Sequence, residues 1–111
     1  MKVQEEQHGA VWVVRPEGPI AGEEADSFRQ RLLDRMAGSL GRCIIDASGV
    51  PFVDSKGLES LVEVNDEVNA NGQVLKLCGV TETVRRVLDL TKLASRFEYF
   101  ADVNTAVRSY L

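Results

Sequence analysis

The sequence is short of the residues from which most catalytic and metal sites are built. Its 111 residues contain one histidine and two cysteines. The one histidine, His8, is far in sequence from Ser55, the best candidate nucleophile, so no serine, histidine and carboxylate set is expected. Two cysteines and one histidine do not complete a zinc site, and no glycine-rich phosphate loop is present. We therefore expect no enzyme, no metal and no cofactor.

Long apolar runs and an excess of basic residues are also missing. No run approaches the about 18 residues that span a bilayer, and residues 1–6 lack the apolar segment of a signal peptide. The net charge is −4, whereas nucleic acids and anionic membranes select concentrated basic surfaces. We expect a cytoplasmic protein that neither inserts into membranes nor binds nucleic acid.

What the chain does contain is a regular alternation of predicted strands and helices, without linkers or repeats. With 44% apolar and 27% charged residues, its composition fits one globular domain over residues 1–111. The predicted elements, in chain order, are a hairpin of residues 2–7 and 10–17, a helix ended by Gly38 and Gly41, strand 43–47, a helix from Ser55, strand 74–78, a helix capped by Thr81, strand 97–100 and a helix capped by Asp102.

This alternation predicts an α/β fold with about five strands, mostly parallel, and about four helices. Val13, Ile44 and Leu75 are expected to be buried in the sheet. Cys43 and Cys78 fall in two strands that we expect to be central and adjacent, and buried reduced thiols are the expected state in the cytosol.

The most informative segment is Asp54-Ser55-Lys56-Gly57-Leu58, where a loop after strand 43–47 passes into a helix. Ser55 is predicted at the first exposed helical position, among backbone N–H groups without helical partners and at the positive end of the helix dipole. The fold would tolerate a phosphate there. Gly57, just inside the helix, lowers helix propensity and indicates that another backbone or a nucleotide approaches closely.

This segment resembles the signature of STAS domains, the family of anti-sigma-factor antagonists, in which an apolar strand leads to Asp-Ser-(Ser/Thr)-Gly-Leu. Two further stretches, Gly18-Pro19-Ile20-Ala21 and Leu77-Cys78-Gly79-Val80, resemble the family's turn before its first helix and its fourth strand. Order, spacing and length agree over nearly all 111 residues. The resemblance implies a STAS-like fold, with Ser55 as the residue that a partner kinase phosphorylates.

Three residues depart from the family pattern. Lys56 replaces a second hydroxyl residue, which removes an alternative phosphoacceptor and places a cation beside Ser55. Glu59 occupies a position that is usually small, so the surface is bulkier and more acidic. Ala21 replaces an aspartate that the family places near the phosphorylation site, and we therefore expect weaker kinase engagement.

The exposed side of the predicted signature helix carries a mostly acidic stripe of charged residues: Lys56, Glu59, Glu63, Asp66 and Glu67. One interpretation is a solvated face with a weak Lys56–Glu59 pair. The other is a docking surface for a basic partner, for which the candidate residues are Asp54, Ser55, Lys56, Gly57, Glu59 and Glu63. Asn65 falls in the apolar arc of the same helix and is either buried with a partner or turned outward.

The resemblance implies an anti-sigma-factor antagonist that switches partners. Its unphosphorylated form would bind an anti-sigma factor that is also a serine kinase and free the sigma factor, phosphorylation of Ser55 would block binding, and a phosphatase would reverse the modification. Two alternatives stay open: a constitutive accessory subunit of a lipid-transporting ABC complex bound to its ATPase, and a signalling scaffold that binds a nucleotide in the signature loop. We expect a monomer or a weak dimer.

Overall fold

The computed structural model describes residues 1–111 and contains one mixed five-stranded sheet. The strands are β1 (Lys2–His8), β2 (Val11–Glu17), β3 (Cys43–Asp46), β4 (Lys76–Cys78) and β5 (Glu98–Phe100). The helices are α1 (Gly22–Ser39), α2 (Ser55–Ala70), α3 (Glu82–Leu90) and α4 (Val103–Arg108), with a short 3₁₀ turn at Ala94–Arg96. The predicted α/β fold is confirmed. None of the helices has the length and apolar character that crossing a bilayer requires.

The order of strands in the sheet is their order in the chain. β1 and β2 pair antiparallel through a turn at Gly9 and Ala10, whereas β2, β3, β4 and β5 are parallel neighbours. Each crossover therefore moves one strand further in the same direction. Right-handed crossovers of this kind place α1, α2 and α3 on one face of the sheet, and α4, which follows the last strand, packs on the opposite face.

The two faces carry separate apolar clusters. The larger cluster lies under α1, α2 and α3 and includes Phe28, Leu32, Ile45 and Leu75. The smaller one lies under α4, and its buried members are Val11, Val13, Ile44, Cys78 and Ala106. The predicted burial of Val13, Ile44 and Leu75 is confirmed.

The two cysteines lie on opposite faces of the sheet. Cys43 belongs to the cluster beneath α1, and Cys78 belongs to the cluster beneath α4. Both are buried and unpaired, as expected. Burial raises the pKa of each thiol to about 12, so both are protonated at neutral pH.

Two predicted boundaries were wrong. Helix α1 continues through Gly38 to Ser39, and the residue that caps it in the left-handed region is Leu40 (φ 56°), followed by Gly41 (φ 82°). Strand β4 begins at Lys76 rather than at residue 74. The Leu75 N–H donates to a side chain of α2 at 3.0 Å instead of to a neighbouring strand, which delays the start of the ladder.

Candidate functional site

Ser55 is the first residue of α2 and is exposed, as the sequence predicted. The loop that leads from β3 to α2 ends at Asp54, which is the N-cap of the helix. Because the Asp54 side chain provides the cap, the Ser55 hydroxyl is not needed to satisfy the first turn. Ser55 therefore presents an uncommitted hydroxyl at the positive end of the α2 dipole.

The Asp54 carboxylate joins the starts of two helices. Its Oδ1 accepts the Gly57 N–H at 2.8 Å, and its Oδ2 accepts the Gly22 N–H of α1 at 3.0 Å. The second bond provides α1 with a side-chain acceptor at its first turn. Ala21, the N-cap residue of α1, has only a methyl side chain and cannot provide one. These N–H donors, that of Gly57 first and that of Gly22 second, hold the pKa of Asp54 below its usual value against the opposing effect of burial. Asp54 is thus a structural anion and not a base for Ser55.

Gly57 is buried where α2 meets the chain before α1. A β-carbon at this position would overlap the carbonyl oxygen of Ile20. The two segments are hydrogen-bonded there: the Ile20 N–H donates to the Phe52 carbonyl at 3.2 Å, and Ile20 and Val53 form an isolated parallel bridge. The predicted close approach to Gly57 is therefore made by backbone.

The charged stripe of α2 is exposed as predicted, but its pairing differs. Lys56 Nζ lies 3.9 Å from Asp26 Oδ2 of α1, so the Lys56–Glu59 pair that the solvated-face interpretation included is replaced by a pair between helices. Glu63 accepts a hydrogen bond from Arg29 of α1 at 2.9 Å. Helix α1 packs beside α2 and supplies both partners, which leaves Glu59 without an ion pair at the centre of the stripe.

An open groove of about 320 Å³ runs beside this stripe. Its apolar side chains are Leu58, Val62 and Leu93, and Glu59 and Glu63 form its acidic lining. Phe52, in the loop just before Asp54, is 47% exposed. Sequence reasoning did not include these apolar residues in the site. The four-residue spacing of Leu58 and Val62, matching that of Glu59 and Glu63, is the signal that could have found two of them.

Asn65 is buried, with 3% of its surface exposed, and it has two backbone partners. Its Nδ2 donates to the Arg96 carbonyl at 3.1 Å, and its Oδ1 accepts the Leu75 N–H at 3.0 Å. Of the two predicted alternatives for Asn65, burial with a partner is therefore the one that is observed. Asn65 fixes α2 to the segment before β4 and to the 3₁₀ turn.

A sequence model of the STAS domain matches residues 2–106. The chain belongs to the STAS family. An anti-sigma factor antagonist from Mycobacterium paratuberculosis superposes on this STAS chain with a TM-score of 0.84 at 25% identity, covering 97% of this chain and 92% of that one. An anti-sigma-factor antagonist (STAS) domain protein from Planctomyces limnophilus gives 0.81 at 23% identity, covering 96% of each chain. The phosphorylated form of the Bacillus cell fate determinant SpoIIAA gives 0.77 at 19% identity, covering 99% of this chain and 100% of that one.

The Asp54 bonds predict a pH-dependent contribution to the stability of this STAS chain. A carboxyl group whose pKa is lower in the folded state stabilises the fold above its unfolded pKa of about 3.9, and the contribution is lost as the pH falls toward the folded pKa. We expect Asp54→Asn to lower the Tm by several degrees at pH 7, because an amide has one acceptor oxygen for two N–H groups. The difference from wild type should shrink below pH 4, in thermal melts followed by circular dichroism.

Asp102→Asn is the matched control for this experiment. Asp102 also has a pKa below its usual value, but its carboxylate caps α4 alone, through the Thr105 N–H at 2.8 Å. Asp102→Asn should lower the Tm at pH 7 by less than Asp54→Asn does. A Tm difference for Asp54→Asn that stays constant from pH 7 to pH 3 would show that the ionised carboxylate is not what joins the two helices.

Proposed function

We propose that residues 1–111 form one STAS domain that acts as an anti-sigma-factor antagonist controlled by phosphorylation of Ser55. The unphosphorylated domain binds an anti-sigma factor that is also a serine kinase, and so frees the sigma factor. A phosphate on Ser55 blocks this binding, and a phosphatase restores it. The observation that carries the proposal is the exposed Ser55 hydroxyl at the start of α2, left uncommitted by the Asp54 cap. Membership of the STAS family and the likeness to antagonists support it.

The partner-binding surface that we propose consists of Asp54, Ser55, Lys56, Glu59 and Glu63 with the adjoining groove of Leu58, Val62 and Leu93. Gly57 is buried, so it shapes this surface from below rather than touching a partner. Acidic side chains around an apolar groove favour a partner segment with basic residues flanking apolar ones.

Electrostatics explains how one phosphate would release such a partner. The group adds a charge of about −1.5 to −2 at Ser55, next to the carboxylates of Asp54 and Glu59. Lys56 can offset only part of that charge, because it also lies beside Asp26. A tenfold loss of affinity requires only about 1.4 kcal/mol of binding free energy. The free-energy cost of desolvating an unpaired phosphate in an interface is larger than this. The switch acts through the contact surface and needs no change of fold.

The site favours binding over catalysis. Asp54, the acidic residue adjacent to Ser55, already accepts two backbone N–H groups and has its pKa lowered. A carboxylate held in this way is a poor proton acceptor for a hydroxyl. His8, the one histidine of the chain, is the last residue of β1 and lies beside the hairpin turn. It is not part of the loop before α2. These observations support Ser55 as the acceptor of a phosphate from a partner kinase rather than as a catalytic residue of this domain.

Incubation of the domain with ATP and candidate anti-sigma kinases, followed by mass spectrometry, tests the modification directly. We expect one phosphate, on Ser55. Phosphate on another residue, or none with any kinase that binds the domain, would contradict the proposal.

Ser55 variants test the switch without a kinase. Ser55→Ala should cost about 1 kcal/mol or less in stability, because Asp54 keeps the cap, and should bind the unphosphorylated-state partner like wild type. Ser55→Asp should fold equally well, since a carboxylate suits a helix N-terminus, but bind at least several-fold more weakly. Titration calorimetry measures the affinities, and urea unfolding measures the stabilities.

Ser27→Asp is the charge-matched control for Ser55→Asp. Ser27 is exposed on the side of α1 near Met1 and Val3, away from the proposed surface, and the same substitution there should leave affinity unchanged. Equal affinities for wild type, Ser55→Ala and Ser55→Asp would favour the constitutive accessory subunit over the switch.

A further inference from the structure

Helix α4 is the only helix on its face of the sheet. It has six residues and follows the last strand, whereas three longer helices cover the opposite face. A helix this short is not stable alone in water, so α4 depends on its contacts with the sheet. Val103, Ala106 and Val107 of the helix contact the smaller apolar cluster, and Tyr110, two residues beyond the helix, packs against it as well.

A buried cation lies under the end of α4. Lys76 of β4 is 6% exposed, and its ammonium donates to the Ser109 hydroxyl. The ammonium lies 3.8 Å from the centroid of the Tyr110 ring and 5.5 Å from that of Phe100. It makes no ion pair with a carboxylate, and desolvation lowers the pKa of Lys76 against the attraction of Glu98.

The docked state of α4 therefore combines opposing effects. Apolar burial and the hydrogen bond from the Tyr110 hydroxyl to the Cys43 carbonyl, at 3.3 Å, hold the helix in place. The same docking removes the Lys76 ammonium from water and returns only the hydrogen bond to Ser109 and the aromatic face of Tyr110. Separation of α4 from the sheet would hydrate Lys76 again, which lowers the free energy of the open state.

We propose that residues 102–111, the C-terminal strap, open from the sheet as a unit while the rest of the fold stays closed. Opening uncovers Val11, Val13, Ile44 and Cys78 on the second face. It leaves the larger cluster beneath α1, α2 and α3 intact, because the strap has no part in that cluster. The strap is separate from the proposed surface on α2, and its opening does not require phosphorylation of Ser55.

The two cysteines provide an internal test. Cys78 is covered by the strap, whereas Cys43 lies on the other face beneath α1. While buried, both thiols have a pKa of about 12 and react slowly. Alkylation of Cys78 therefore reports opening of the strap, and alkylation of Cys43 reports opening of the main core.

The experiment is alkylation of the full chain by iodoacetamide without denaturant, with both sites quantified by peptide mass spectrometry. We expect Cys78 to react at least tenfold faster than Cys43. Lys76→Met should slow Cys78 several-fold, because the methionine side chain that replaces the ammonium needs no hydration. Tyr110→Ala should accelerate Cys78 several-fold, because the strap loses its ring contact with Lys76 and its hydrogen bond to the Cys43 carbonyl.

Equal rates at the two cysteines would overturn the proposal, since only global unfolding would then expose them. A Cys78 rate that stays unchanged in Tyr110→Ala would also overturn it. An unchanged Cys78 rate in Lys76→Met would show that the buried ammonium does not promote opening, and the strap as proposed would be wrong.

Discussion

Gly57→Ala is expected to destabilise the protein by about 2–3 kcal/mol, in the range of overpacked cores. The new methyl group would overlap the carbonyl oxygen of Ile20, which is backbone and cannot move aside by a change of rotamer. That part of the chain is held by hydrogen bonds from Ile20 to Phe52 and from Asp54 to Ile20. Relief of the overlap requires α2 to move away from the start of α1, which would also stretch the two Asp54 bonds. Urea unfolding measures the loss.

Gly38→Ala is the matched control. Gly38 also lies within a helix, its φ is not positive, and a β-carbon there would meet nothing within 4 Å. The same substitution should stabilise the protein by about 0.5–1 kcal/mol, because alanine loses less backbone entropy on folding. Opposite signs at the two glycines would attribute the cost at Gly57 to the Ile20 contact. A loss of less than 1 kcal/mol at Gly57 would contradict this account.

Asn65→Ala is expected to lower the free energy of unfolding by about 2–4 kcal/mol. The Leu75 N–H and the Arg96 carbonyl each lose their side-chain partner, the first at a buried hydrogen bond and the second at a partly buried one. An unsatisfied buried group costs about 1–3 kcal/mol, and the lost side chain adds a small cavity. Thermal and urea unfolding give the stability, and amide exchange should show faster exchange at Leu75.

Asn69→Ala, one turn further along α2, is the control for this substitution. Asn69 is exposed, and its replacement should change stability by no more than about 0.5 kcal/mol. If the two asparagine variants unfold at the same urea concentration, Asn65 does not hold α2 to the sheet as described.

Local chemistry accounts for what the sequence predicted well. Thr81 and Asp102 cap α3 and α4 as expected, because a cap needs only a side-chain oxygen three residues before a free N–H. The placement of Ser55 at the start of α2 rests on the same kind of pattern. The strand and helix alternation likewise determined which elements form the sheet, since apolar periodicity is a property of neighbouring residues.

The partners in contacts between distant segments were not predicted. The second bond of Asp54 joins residues 32 positions apart in the chain, and the carbonyl that requires Gly57 belongs to Ile20. Lys56 pairs with α1 rather than within its own helix. Nothing in the local pattern specifies such partners, because they depend on how two helices pack. The predicted start of β4 was wrong for the same reason, since the Leu75 N–H donates to a side chain of α2.

The identity of strand order and chain order bears on how the protein is made. Each strand adds beside the one before it, so a nascent chain can extend the sheet as it leaves the ribosome without waiting for a later strand. The second face is different, because its cover follows the last strand of the sheet. Until residues 102–111 emerge, Val11, Val13 and Ile44 face water on every growing chain. Synthesis of this protein therefore includes an interval, ended by the emergence of α4, in which chaperones and neighbouring nascent chains have access to an apolar sheet.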